Sequence, residues 1–369
     1  MTCFTASPSL FCIDCQGIEL QGFAMPLVSN LKNLARRYLP VKAWLYLHMM
    51  KNGFTASGRR KNQRLRSEWS WHIARLKASN ANLDLSGTIH GSMTLYFHPN
   101  DGVGGKSVFL TGDCEPEASA FMKRFVLPGM VVMDIGGNIG AHTLLLSRCV
   151  GNAGYVHVFE PSRAGEYLKR NLETNQIHNV TFNSVAVGNT KGELRLTQCQ
   201  PGLEAFTSIA VPMWAAAADG YMDARMDSLD NYSATMGIDK IDLVKMDVEG
   251  AEVLVLEGAR TLVASKSVSA WLFEMNSVCL KNAGYSVEKL ETMFVDAGYD
   301  LFLLDDEGWP VPYQREKVRK DRLILALLPS TLDQMKHSEG PWGDTFCAHL
   351  KVSNGSEGRG EEQFSRSTT

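Results

Sequence analysis

From residue 131 onward, short apolar runs alternate with segments of helical period, and this alternation limits the fold more than any other feature of the chain. Residues 131–135 (VVMDI), 155–160 (YVHVFE), 180–187 (VTFNSVAV), 241–248 (IDLVKMDV), 268–275 (VSAWLFEM), 299–304 (YDLFLL) and 322–328 are expected as strands. Helical spacing marks residues 139–150, 163–175 and 287–297. Strands with unbroken apolar runs are buried on both faces, and helices between them supply the crossovers that parallel neighbours need. The expected fold class is therefore α/β, a doubly wound, mostly parallel seven-stranded sheet that takes ligands at the carboxyl ends of its strands.

Ahead of this pattern the chain reads differently. Helical spacing occurs at residues 28–50 and 63–78, joined by the Gly, Ser and basic stretch 53–61. Between residues 31 and 80 there are twelve Lys or Arg and one acid, Glu68. β-like runs follow at 93–97 and 107–110, separated by the turn-rich PNDGVGGK. Residues 192–200 read as an extra hairpin arm, and 201–222 as a long connection of the kind that covers a site or moves. The division expected is a basic, partly helical and β extension (1–84), the α/β domain (85–330), and a largely disordered tail (331–369) whose end is rich in Ser, Gly and Glu.

A net charge of −3 over 369 residues gives no whole-chain signal for nucleic acid or an anionic membrane. The basic stretch before Leu83 is a solvated helical face on one reading and a guide for a macromolecule on another. Eight scattered cysteines show no disulfide spacing, and Cys12 with Cys15 lacks the second pair a zinc site needs, so a reducing compartment is expected. The first 22 residues lack the order of a secretory signal and carry Asp14 and Glu19. The most apolar early run, VKAWLYLHMM, is far shorter than the ~20 residues of a membrane span. A cytoplasmic, soluble protein is the expectation, its oligomeric state open.

Chemistry concentrates at two strand ends. Asp134-Ile135-Gly136-Gly137-Asn138-Ile139-Gly140 stands where the first strand of the alternating pattern becomes a helix. Glycine permits the tight turn and clears Cβ atoms from a ligand's path, and the free N–H groups of the helix suit a polar group. Glu160, at the end of the next strand, can accept from both hydroxyls of an adenosine ribose. The turn is DxGxNxG rather than GxGxxG, and Asp134 adds negative charge where a pyrophosphate would lie. It suits instead the cationic amino and sulfonium end of S-adenosylmethionine.

The second constellation is Lys245-Met246-Asp247-Val248-Glu249-Gly250-Ala251-Glu252. With a period of two, Lys245 and Asp247 share one face of an otherwise apolar strand, which is costly unless the charges are paired or wet. Methyl transfer to a hydroxyl requires alignment and proton removal, and the candidates for the latter are Asp247, Glu249 and His142, in that order. Glu249 equally fits an acid in a first helical turn. Glu274 either pairs with Lys245 or lines an acceptor pocket, and pairing is the reading preferred. No oxygen cluster large enough for a divalent ion is evident, so no metal is expected.

These residues carry a resemblance to the FkbM family of methyltransferases. The matching pieces are VVMDIGGNIGAHTLLLSR, VHVFEPS, NVTFNSVAVGNTKGELRL and IDLVKMDVEGAEVLVLEGA, with the lead-in GDCEPEASAFMKRFVLPG. The resemblance implies a class I, Rossmann-like methyltransferase fold, S-adenosyl-L-methionine as donor, and a hydroxyl of a sugar, polyketide or other small molecule or glycan as acceptor. It carries cofactor contacts onto Asp134, Gly136, Asn138, Gly140 and Glu160, and the motif near the methyl onto Asp247 and Glu249. Gly137 stands where the family commonly has alanine. Pro161, Ser184, Val185 and Ala186 complete the expected cofactor-binding set, to which Asp247 also belongs. The alternatives are methylation of RNA or protein guided by the basic extension, and a cofactor-binding protein without turnover.

Overall fold

Apolar residues on both faces of most strands require a hydrocarbon layer on each side of the sheet, and a computed structural model describing residues 56–210, 218–315 and 322–337 shows which elements supply them. The chain divides into two units, residues 1–70 and 71–369. In the first, Arg60, Lys61, Arg64 and Arg66 are exposed on helix α1 (Ala56–Ala81). The sequence reading begins this helix at residue 63, because Ser57 and Gly58 suggest a linker. The following RRKNQRLR is rich in good helix formers, and the helix extends back to Ala56. The expected helix at 28–50, the Cys12 and Cys15 pair and most of the tail lie outside the described residues.

In the second unit an antiparallel hairpin, β1 (Leu85–Ile89) and β2 (Met93–Phe97), precedes α2 (Gly104–Thr111) and α3 (Pro116–Phe125). The run at 107–110, expected as a strand, is helical. Gly105 lies so close to Phe97 that a Cβ there would overlap the ring, and Gly112, at φ +78°, ends the helix in the left-handed region. The alternating part follows: β3 (Val131–Ile135), α4 (Ala141–Val150), β4 (Tyr155–Phe159), α5 (Ala164–Thr174) and β5 (Val180–Asn183). The strand expected over 180–187 is two. After Asn183 the chain leaves the main sheet, and β6 (Ala186–Val187) pairs with β8 (Ala218–Asp227), itself the antiparallel partner of β7 (Gly192–Cys199). The arm read at 192–200 is thus one strand of a three-stranded sheet whose return strand begins inside the expected connection.

The chain continues through α6 (Leu229–Met236), β9 (Leu243–Met246), α7 (Glu252–Glu257), α8 (Arg260–Ala264), β10 (Ala270–Met275), α9 (Ser277–Asn282), α10 (Val287–Asp296), β11 (Asp300–Leu304), β12 (Pro310–Pro312) and β13 (Arg322–Leu327). Residues 329–337, partly assigned in sequence to the tail, form α11 (Pro329–His337), with Leu332 and Met335 buried. The main sheet has eight strands in the order β12-β11-β13-β10-β9-β3-β4-β5, the seven expected plus the short edge strand β12. From β10 to β5 all neighbours are parallel, whereas β13 runs antiparallel between β10 and β11.

Side-chain alternation assigns the two layers. Trp271, Phe273 and Met275 of β10 join one core with Val253, Leu262, Leu290 and Phe294 from the helices, while Ala270 and Leu272 join the other with Phe121, Met122 and Leu145. A third cluster packs Trp71, Ile89, Leu95 and Phe97 against Leu144, Val158 and Leu168, so the hairpin belongs to the α/β unit. The chain builds outward from β3 to β4 and β5, then returns to lay β9 on the other side of β3. Such a reversal opens a crevice at the carboxyl ends of the two central strands. Among the described residues, no helix is long and apolar enough to cross a membrane.

Candidate functional site

The glycine turn closes the carboxyl end of β3. Gly136 (φ +79°), Asn138 (φ +48°) and Gly140 (φ +91°) all lie in the left-handed region, and the N–H groups of Gly136 and Gly137 both donate to the Phe159 carbonyl, at 2.9 and 3.1 Å. A Cβ at Gly136 would overlap the Asp247 carbonyl oxygen, and one at Gly137 would overlap the Val158 side chain. The space freed by these two glycines is thus taken by the protein's own strands, which corrects the expectation that a ligand requires it. Glu160 fastens the turn to the end of β4, its carboxylate accepting from the Asn138 N–H at 2.9 Å and the Ser162 N–H at 2.8 Å. Burial raises its pKa against the opposing effect of these bonds.

Asp134 and Lys245 face each other across β3 and β9, in register. Asp134 is 0 % exposed and accepts from the Thr143 hydroxyl at 2.6 Å. Lys245 Nζ lies 3.7 Å from Asp134 Oδ1 and 3.4 Å from Asp247 Oδ2, and donates to the Gly136 carbonyl at 3.3 Å. Burial alone would lower the pKa of the ammonium, but Asp247, Asp134 and Glu115 outweigh it and hold the group charged. The pairing that the sequence reading demanded of Lys245 is met by these aspartates. Asp134 lies behind the turn and does not line the cavity described below.

Glu249 is not in a first helical turn, since α7 begins at Glu252. Its own φ of +49° and the +101° of Gly250 turn the chain before the helix. The Cys279 thiol donates to Glu249 Oε2 at 2.9 Å, and the Ser208 hydroxyl donates to the Glu249 carbonyl at 2.9 Å. The acid that holds the helix start is Glu252, which accepts from the Gly250 N–H at 3.2 Å and which burial pushes up to about 7. Carboxylate oxygens of Asp247, Glu249 and Glu274 lie within 4.8 Å of one another, close enough to share one cation. His142 is buried at the start of α4, its Nε2 3.5 Å from Cys114 Sγ and 3.8 Å from Glu115 Oε2. Burial, and then the Lys245 charge, depress it well below the ordinary range, which leaves a neutral imidazole at neutral pH.

A cavity of about 260 Å³ joins these groups. Gly136, Gly137, Asn138, Glu160 and Pro161 line it from the β3 and β4 ends, and Val185 and Ala186 from the passage between β5 and β6. Asp247, Glu249 and His142 also line it, whereas Asp134, Gly140 and Ser184 do not. The connection that follows β7 lines part of the cavity with residues 204–209. Sequence reasoning missed Glu115, Asn276 and Lys245 as lining groups. The available signal for Glu115 was an acid directly before Pro116, at a helix start that usually takes Ser, Thr, Asp or Asn.

A sequence model described as the methyltransferase FkbM domain matches residues 134–301. Among curated proteins none matches the chain. Similar solved structures include Aeropyrum pernix fibrillarin in complex with natively bound S-adenosyl-L-methionine, at 14 % identity and TM-score 0.33 over 57 % of this chain and 73 % of that one. Another is the Bacillus cereus O-methyltransferase in complex with SAH, at 12 % identity and TM-score 0.35 over 59 % and 83 % of the respective chains. A third is a SAM-dependent methyltransferase from Aquifex aeolicus, at 14 % identity and TM-score 0.33 over 58 % and 89 %.

Proposed function

We propose that this chain, whose residues 134–301 form an FkbM methyltransferase domain and which is accordingly an S-adenosylmethionine-dependent methyltransferase, acts on a hydroxyl of a sugar, polyketide or other small-molecule or glycan acceptor. The observation that carries this reading is that Glu160 and Asp247, from strands on opposite flanks of β3, line one cavity. Glu160 would hold the ribose hydroxyls through the accepting capacity left beyond its two backbone bonds. The cavity lining also carries Asp247, Glu249, Glu274 and Glu115 against one ammonium, that of Lys245, a balance that favours a cationic sulfonium. When bound, the donor supplies a methyl group already activated for displacement. The chain's own residues then have to orient an acceptor oxygen, exclude water and receive a proton. The same acidic wall disfavours a phosphate-bearing acceptor, which supports the small-molecule reading over a nucleic acid guided by α1.

The test is ligand-dependent stability. S-adenosylmethionine at a hundredfold excess over its dissociation constant should stabilise the native state by about 2.7 kcal/mol, and Glu160→Ala should remove most of the resulting thermal shift. An undiminished shift in that variant refutes the assignment of the ribose contact. No shift in the unaltered protein refutes the methyltransferase reading.

A further inference from the structure

A second cavity, of about 280 Å³, adjoins the first: Glu115 and Glu274 line both. Its remaining wall is Glu117 from the first turn of α3, Leu304 at the end of β11, and Arg322 with Leu323 at the start of β13. It therefore lies at the carboxyl ends of strands beyond β9, on the side of the crevice away from Glu160. Glu115 and Glu274 stand where the two cavities meet.

Glu115 holds the N-cap position of α3, yet its side chain makes no capping hydrogen bond. An acid at that position ordinarily turns its carboxylate back onto the helix N–H groups. Here the carboxylate faces the two cavities, 40 % exposed, with His142 Nε2 at 3.8 Å. The competing acids are already engaged: Asp247 with Lys245 at 3.4 Å, and Glu249 with the Cys279 thiol at 2.9 Å.

We propose that Glu115 is a catalytic residue, the group that accepts the proton of an acceptor hydroxyl bound in the second cavity; the proposal rests on the methyltransferase reading above. The acceptor oxygen forms a bond to the methyl carbon as the carbon–sulfur bond breaks. The electron pair of that bond stays on sulfur, and the hydroxyl proton passes to the Glu115 carboxylate, which later releases it to water. Titratable and charged groups face Glu115 from every element around it: Asp113 and Glu117 beside it in sequence, the neutral His142 from α4, Lys245 from β9 with Asp247 just after it, Glu274 from β10 and Arg322 from β13. Partial burial between the cavity walls first, and then the Asp247 charge, push its carboxyl up to about 7. A base in that range is suited to work near neutrality, and the rate should climb as pH rises through it.

The experiment measures transfer of tritiated methyl from S-adenosylmethionine to methyl glucoside, myo-inositol and phenol between about pH 5 and about pH 9, with donor binding followed separately by calorimetry. Glu115→Gln should lower kcat by about 10²-fold or more and abolish the rise near neutrality, with donor affinity and thermal midpoint retained. Glu115→Asp should recover part of the rate. Because Glu252 also titrates near 7, loss of the rise in Glu115→Gln is what assigns it. A full rate and unaltered profile in Glu115→Gln overturns the proposal while leaving the methyltransferase reading intact. Loss of donor affinity or of folding in both variants makes Glu115 structural and also overturns it. Donor binding without transfer to any of the three probes counts against the hydroxyl acceptor and so against the proposal, whereas failure to bind the donor defeats the underlying reading.

Discussion

Lys245→Met is the perturbation whose magnitude follows most directly from the buried charges. It retains the length of the stem and removes the ammonium that lies 3.7 Å from Asp134, a carboxylate with no exposure. With an effective dielectric of 20, an ion pair at that distance is worth about 4 kcal/mol, and breaking a buried pair by removing one partner typically costs 3–5 kcal/mol. The loss has a ceiling, because Asp134 can take a proton instead of remaining charged. Relative to an unfolded pKa near 3.9, protonation at neutral pH costs about 1.4 kcal/mol per unit over some three units, or about 4 kcal/mol. The expected destabilisation at pH 7 is therefore about 3–4 kcal/mol, a fall in Tm of roughly 6–16 °C for a domain of this size.

The pH dependence carries the sign. Burial already raises the folded pKa of Asp134 against the opposing charge of Lys245, and without Lys245 it rises further. A group with a raised folded pKa contributes stability that is complete below its unfolded pKa and is lost as pH rises through the folded one. The gap between unaltered protein and variant should accordingly shrink on acidification from neutrality towards pH 5, by at most about 1.4 kcal/mol per unit. Urea unfolding followed by circular dichroism at neutral and mildly acidic pH measures it. A neutral gap below about 1 kcal/mol, or one that does not shrink with acid, would refute the claim that Lys245 neutralises Asp134.

Gly137→Ala drives a methyl into Val158 and should cost about 1–3 kcal/mol in thermal denaturation, with Val158→Ala in the same chain restoring part of the loss; an additive double variant would count against that contact. Asn171 donates to the Tyr96 and Ile139 carbonyls at 3.0 and 2.8 Å and accepts from the Tyr96 N–H at 2.7 Å. Asn171→Ala leaves these backbone groups unpaired and should cost about 2–4 kcal/mol, with faster amide exchange in β2; unchanged exchange there would exclude the proposed attachment.

Most strands of the doubly wound core are legible in the sequence because they are buried on both faces and read as largely apolar runs, as AWLFEM of β10 does with Glu274 its one charged residue. The run SVFL at 107–110 misleads because four apolar or small residues fit either period, and a distant contact between Gly105 and Phe97 decides. β12 escapes notice because it is three residues long with two prolines, tolerable only at an edge. In the site, the local pair Lys245 and Asp247 is readable from a period of two. The convergence of Glu115 and Glu274 is not, since helix α3 and strand β10 are brought together by tertiary packing alone. Placement of Asp134 behind the turn likewise depends on register between β3 and β9, which local pattern does not set.

The antiparallel strand β13 bears on how the catalytic part of such a chain can be isolated. The matched segment, 134–301, starts within β3 and stops inside β11, and it omits the strand that lies between β10 and β11 in space. A fragment trimmed to those borders would have a gap where Ile324 and Leu325 fill both hydrophobic layers, and would strip the β1–β2 ribbon from Leu144 and Leu168. The smallest autonomous piece must therefore extend well past both borders, and a shorter one should be recovered as aggregate.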